Sequence, residues 1–196
     1  MRPAPAHWSF RENISPSALS VTLDGKHTAI GTRNGLVFLN SHGRLLWFNK
    51  KIRRINDVSV STRSGKIAVG SSQKVLYLVN MRGESLWHRE IESSVLATSI
   101  NSRGNLIAVG TDEGKLILYD GKGKKLWEVH LSNSDFSVNS VDITSDGKFI
   151  VAGTDYSHLY MYDVKGNVLW SKETGSEVLK TCISANGDYL GYLLSL

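Results

Sequence analysis

One cysteine and three prolines in 196 residues are the first scarcities in this sequence. The lone Cys182 excludes an intramolecular disulfide framework and fits a reducing compartment. A chain of this length buries enough apolar surface to fold without such staples. No apolar run reaches the length of a signal-peptide core or a membrane span; the opening "MRPAPAHWSF" has an early charge but no hydrophobic stretch. The expectation is a cytoplasmic protein with no membrane span. Metal-ligand spacing is also missing. His7, His27, His42, His88, His130 and His158 are scattered, without a His-x-x-x-His or Cys-x-x-Cys grouping. Helical apolar spacing is not sustained over any window of about eleven residues. A formal charge of +5 admits an acidic partner but is far from a dense basic stripe.

What the sequence does have is a period. Trp47, Trp87, Trp127 and Trp170 are spaced by 40, 40 and 43 residues, and each ends a related pentapeptide: "GRLLW", "GESLW", "GKKLW" and "GNVLW". Upstream of each lies a second mark, "AIGTRNG", "AVGSSQK", "AVGTDEG" and "VAGTDYS", which contributes the strand glycines Gly31, Gly70, Gly110 and Gly153. A third mark is the turn series "LDGK", "RSGK", "SRGN" and "SDGK". Each unit parses into four short strands, rich in β-branched residues and punctuated by Gly, Asn and Asp about every ten residues. The chain is expected to be all-β.

A four-stranded antiparallel unit of about 40 residues, repeated around an axis, makes a β-propeller blade. The repeats resemble those of WD-repeat and PQQ-type (quinoprotein-like) propellers. "VNSVDITSDGKFIVAGTD" (138–155) is similar to the former and "HLYMYDVKGNVLW" (158–170) to the latter. The expected architecture is one β-propeller domain over 1–196, with full blades at about 17–50, 56–90, 95–130 and 138–173. A partial fifth blade would be shared between 6–12 and 178–196. One reading closes a five-bladed ring with strands from both termini, which removes the exposed edge and is the preferred one. The other is an incomplete ring, a piece of a larger propeller or one that self-associates.

The same frame sorts the chemical candidates. "GKGKK" (121–125) looks like a phosphate loop, but it occupies the third-to-fourth-strand turn of every repeat and leads into no helix. Asp112 and Asp155 sit at turn positions that tolerate other polar residues. Asp142 falls on an inner strand at the position of Ser20, Ser59, Ser99 and Cys182, and is expected to be a hydrogen-bonded structural carboxylate. Trp47, Trp87, Trp127 and Trp170 are expected to pack between blades. The quinone dehydrogenases that the resemblance brings in are larger rings with a calcium site and, commonly, vicinal cysteines. With one cysteine and about half the blades, no cofactor and no metal are expected here.

Two loops between blades stand out as binding candidates. "KKIRR" carries Lys50, Lys51, Arg53 and Arg54, and the long "LSNSDFS" carries Asp135 and Phe136, read as an exposed aromatic anchor. The opposite face is net positive through short turns in every blade, so no single basic stripe forms and nucleic-acid binding is not expected. The function expected is a non-catalytic scaffold or complex subunit whose loops bind protein partners, acidic ones included. The alternative is a lobe of a larger quinoprotein-like enzyme or exported protein.

Overall fold

The structure, a computed structural model, describes residues 15–131 and 136–196. The outer-strand piece expected at 6–12 and the loop residue Asp135 lie outside the described residues. Blade 1 is β1 (Pro16–Val21), β2 (His27–Thr32), β3 (Leu36–Asn40) and β4 (Leu45–Asn49). Blade 2 is β5 (Ile55–Val60), β6 (Ile67–Ser71), β7 (Val75–Val79) and β8 (Ser85–Glu90). Blade 3 is β9 (Val95–Ile100), β10 (Leu106–Thr111), β11 (Lys115–Asp120) and β12 (Lys125–His130). Blade 4 is β13 (Val138–Ile143), β14 (Phe149–Thr154), β15 (His158–Asp163) and β16 (Val168–Glu173), and β17 (Val178–Ile183) with β18 (Leu190–Leu194) begins a fifth. Each full blade is a sheet in sequence order with antiparallel pairing, and the fifth is a two-stranded sheet. The fold is an all-β propeller of four full blades and a partial fifth.

Burial runs from the middle of each blade outwards. The second strands are near-continuous apolar runs, such as "LIAVGT" in β10, because both of their faces lie against neighbouring blades. The outer strands alternate with solvent, and β16 is exposed along its length. Each buried Leu or Ile of the middle strands contributes roughly 1.5–3 kcal/mol. The strand glycines set how closely blades approach. A Cβ on Gly31 would lie 2.5 Å from Ile55 Cγ2, and one on Gly110 2.7 Å from the Val138 carbonyl oxygen. Any side chain there would push the next inner strand away.

Backbone bonds tie the blades at both ends of the barrel-like arc. On one face, the first-to-second turns link in series: Arg63 N–H donates to Ser102 O, Ser102 N–H to Ser145 O, and Ser145 N–H to Ala185 O. On the other, the blade-to-blade connections bond the second-to-third turns, as Arg54 N–H does to Arg33 O and Asp112 N–H to Ser94 O. The inner strands β1, β5, β9, β13 and β17 pack each on the next, but no comparable packing joins β17 to β1 among the described residues. Leu19, Val21 and Leu23, along and just after β1, are exposed. The described residues form an open arc; the closed five-bladed reading turns on the piece at 6–12, which lies outside them.

Candidate functional site

The turn between third and fourth strands is the element repeated most exactly in chemistry. "GKGKK" is such a turn: Gly123 N–H donates to Asp120 O at 3.0 Å, and Asp120 Oδ1 accepts Lys122 N–H and Lys124 N–H at 2.8 and 2.9 Å. Asn40, Asn80 and Asp163 hold their turns with the same pair of bonds. Those backbone donors hold the Asp120 carboxyl below its ordinary range, and the Asn167 donors do the same for Asp163. Gly123 has φ +80°, a conformation that any side chain resists. The shared signature is thus Asx-x-x-Gly, and the Asx three residues ahead of the pentapeptide glycine is a signal that the glycine alone obscured.

These turns receive the tryptophans. Trp47 Nε1 donates to Met81 O at 2.9 Å, Trp87 Nε1 to Gly121 O at 3.1 Å, and Trp127 Nε1 to Val164 O at 2.9 Å. Each indole lies against the turn glycine of the next blade, so a Cβ on Gly83, Gly123 or Gly166 would meet the ring at 2.9, 3.0 or 3.2 Å. These three tryptophans are half-buried between blades. Trp170 departs from the expectation: it is 37% exposed, because the fifth blade offers no such turn among the described residues.

Asp142 is fully engaged as a strut between inner strands. Its Oδ1 accepts the Ser99 hydroxyl and Ile143 N–H, both at 2.9 Å, and its Oδ2 accepts Ile183 N–H at 2.8 Å. Ser20 and Ser59 do the corresponding job for Val60 N–H and Ile100 N–H. Asp57, on β5, accepts Thr98 N–H at 2.7 Å. Burial raises the Asp57 carboxyl above its ordinary value, and Lys180 partly offsets that. Asp112 and Asp155 accept Ser94 N–H and Ser137 N–H, each at 2.8 Å. None of these carboxylates is left free beside a nucleophile.

The "KKIRR" segment divides between two places. Lys50 and Lys51 are exposed and line a groove of about 790 Å³ between the outer strands of blades 1 and 2, with Trp47, Phe48, Tyr77, Arg82 and His88. Lys50 Nζ stands 5.3 Å over the Phe48 ring, and Tyr77 and His88 rings are 6.0 Å apart. Burial raises the Tyr77 phenol above its ordinary value, so it stays a neutral donor. Arg53 turns back so that its Nε–H donates to Lys50 O at 3.0 Å. Arg54 has φ +49° and lines a separate hollow with Arg33. Phe136 corrects the expectation of an exposed anchor. It is 5% exposed, belongs to the core between blades 3 and 4, and stacks on Tyr156 at 5.9 Å. The groove therefore collects cations and aromatic faces from two blades, whereas the long loop's aromatic is spent on the core.

The sequence profile of the PQQ_2 family, described as outer membrane protein assembly factor BamB, matches residues 33–187. The chain belongs to this family. Comparison with curated protein sequences gives no significant match. Among solved structures, a WD40 propeller in the crystal structure of a mitotic checkpoint complex superposes with a TM-score of 0.83 at 15% identity. That match covers 94% of this chain and 59% of the other, so the chain spans about three fifths of its neighbour. At that identity the likeness shows the fold alone. A good superposition over an open arc means that the blade-to-blade step resembles that of the larger neighbour.

The family name brings in a quinone cofactor, an anionic group that needs convergent cations. The inner strands do not fit it. They present Asp57, Asp142 and hydroxyls, with the carboxylates engaged between strands, and Lys180 already couples to Asp57. Among the described residues no cluster of His, Cys, Asp and Glu could hold a metal ion.

Proposed function

We propose that this chain is a non-catalytic propeller that holds a protein partner, taking an acidic extended segment into the groove between blades 1 and 2. The carrying observation is the groove itself: Lys50, Lys51 and Arg82 flank Trp47, Phe48 and Tyr77 on a rigid two-blade wall. Cations beside aromatic faces are the composition of interface anchors. Two likenesses support the reading: the family description names an assembly factor, and the solved neighbour sits in a protein complex. Arg53 and Arg54 do not line the groove, so their share in the proposal is long-range steering of the association rate. The cytoplasm, as the compartment, rests on the single exposed thiol of Cys182, and cell fractionation would test it.

Selection from an unbiased displayed-peptide library tests the binding reading. The expected outcome is enrichment of acidic sequences with aromatic residues, lost in Lys50→Glu with Lys51→Glu and kept in Lys122→Glu with Lys124→Glu and Lys125→Glu. Enrichment that survives the groove substitutions would overturn the assignment. The open arc favours a second reading, a lobe of a larger propeller assembly. Immunoblotting the native protein at its full size would decide that.

A further inference from the structure

The residue before each repeat tryptophan is a leucine, and it is exposed in every full blade. Leu46, Leu86, Leu126 and Leu169 are the second residues of the outer strands and are 47, 48, 44 and 46% exposed. Leu86 and Leu126 have a described blade on each side and are as open as the other two. The exposure therefore belongs to the position and not to the ends of the arc. The opposite face treats its aliphatic side chains differently. There the first three blade-to-blade connections each tuck one away: Ile52, Ile91 and Leu131 are 2, 8 and 8% exposed. A burial rule kept at one end of the blades, and broken four times at one position of the other, marks that other end as a contact surface.

Charge accompanies the leucines. The third-to-fourth turns that lead into them carry Arg44, Arg82, Lys122, Lys124 and Lys165, at least one in each full blade, and all five are exposed. None of these side chains makes a salt bridge among the described residues. The acids of the same turns are tied up locally. Asp120 and Asp163 accept backbone N–H groups of their own turns, and Glu84 accepts the Asn80 side-chain amide at 2.7 Å. Because each blade repeats the last about one axis, equivalent positions lie at one height around the arc. Four leucines at one level, each behind a free cation, match a partner that is flat, anionic at its surface and apolar beneath. We propose that this end of the propeller docks on an anionic lipid bilayer, with the turn cations among the headgroups and the leucines at the acyl boundary. Each leucine lies three residues past the turn glycine, and the long stems of Lys and Arg let their charged ends bend back to the headgroups as the turns enter. A nucleic acid offers the charge without the apolar layer, and an acidic protein would have to reproduce the spacing from blade to blade. Arg82 also lines the groove of blades 1 and 2, but the leucines and the other four cations do not, so the inference stands apart from the function proposed above.

The test sediments the full chain with sucrose-loaded vesicles of phosphatidylcholine alone or with about a third phosphatidylserine. Binding is expected to the mixed vesicles and not to the neutral ones, and should weaken as salt is raised. Leu86→Thr with Leu126→Thr should lower the partition at least about fivefold, and so should Lys122→Glu with Lys124→Glu. Circular dichroism and the unfolding midpoint check that each variant is folded. A second readout reports orientation. A polarity-sensitive dye on Leu126→Cys, in a Cys182→Ser background, should shift to the blue on mixed vesicles, and a dye on Tyr156→Cys, at the opposite face, should not. Three results would overturn the proposal: no binding up to about 1 mM lipid, undiminished binding of the folded threonine variant, or a blue shift at position 156 instead of 126. Capture by polyglutamate beads as strong as capture by the mixed vesicles would also overturn it, in favour of an acidic macromolecule.

Discussion

The junction between blades 3 and 4 and the junction between blades 4 and 5 start from the same pentapeptide chemistry, yet they end differently. Trp127 is half-buried, bonded to Val164 O and flanked by Gly166, with Tyr162 stacked 6.0 Å away. Trp170 is exposed and unbonded among the described residues. Among the described residues the difference lies in the neighbour: blade 4 brings a third-to-fourth turn to Trp127, and the half-blade brings none to Trp170. A repeat tryptophan is thus not a core residue by its own blade's doing. It becomes one when the next blade closes over it, which is how stability in stacked repeats resides in interfaces as much as in units.

The comparison predicts its own largest effect. Trp127→Ala removes buried ring, hydrogen bond and glycine contact together, and should cost about 3 kcal/mol. Trp170→Ala should cost less than about 1 kcal/mol, as surface substitutions do. Urea unfolding of the two variants reads both. Equal losses would mean that the tryptophans stabilise their own blades.

A smaller contrast separates two carboxylates on the inner strands. Asp142 uses both oxygens to accept three donors, so Asp142→Asn, which must turn an amide towards one of them, should cost about 1–3 kcal/mol. Asp57 takes the Thr98 N–H and hydroxyl on one oxygen, which an asparagine oxygen can supply, and the Val58 N–H adds a weaker contribution. Asp57→Asn should leave stability unchanged or raise it at neutral pH, because it removes a charge that burial disfavours. The same unfolding assay, with midpoints compared to the parent, separates them.

The pH dependence should be smaller still and has a definite sign. The folded Asp57 carboxyl is raised above its unfolded value, so the folded state takes up the proton first. Its penalty is present above the raised value and is relieved as pH falls through it. The turn carboxylates act oppositely. Asp146 is held down to about 2, chiefly by Lys148 N–H, so its contribution is present above its ordinary value near 3.8 and is lost as pH falls towards 2. Relative to Asp57→Asn, the parent protein should therefore gain stability on going from neutral to mildly acidic pH. A difference that stays flat or runs the other way would remove Asp57 from the account.

Much of the fold was legible because a 40-residue period leaves its marks at every turn: the Trp, the strand Gly and the hairpin Gly recur where blades touch. The site was less so. Phe136 sits in a long polar loop and reads as exposed, but Tyr156, twenty residues on in blade 4, and the turn at Gly114 give it a place in the core. The groove joins Lys50 to Tyr77, Arg82 and His88 across two blades, a juxtaposition made by the packing of one blade on the next that leaves no local pattern. Trp170 carried the same motif as its three counterparts, so nothing local marked it as different. Its environment is a property of the neighbour, not of its own segment.

Hydrogen exchange of the indole N–H groups, with each resonance assigned by single Trp→Phe variants, tests the central claim most directly. Completion by the neighbouring blade predicts slow exchange for Trp47, Trp87 and Trp127, whose protons are held by turn carbonyls, and fast exchange for Trp170. Protection of all four, or of none, would contradict it.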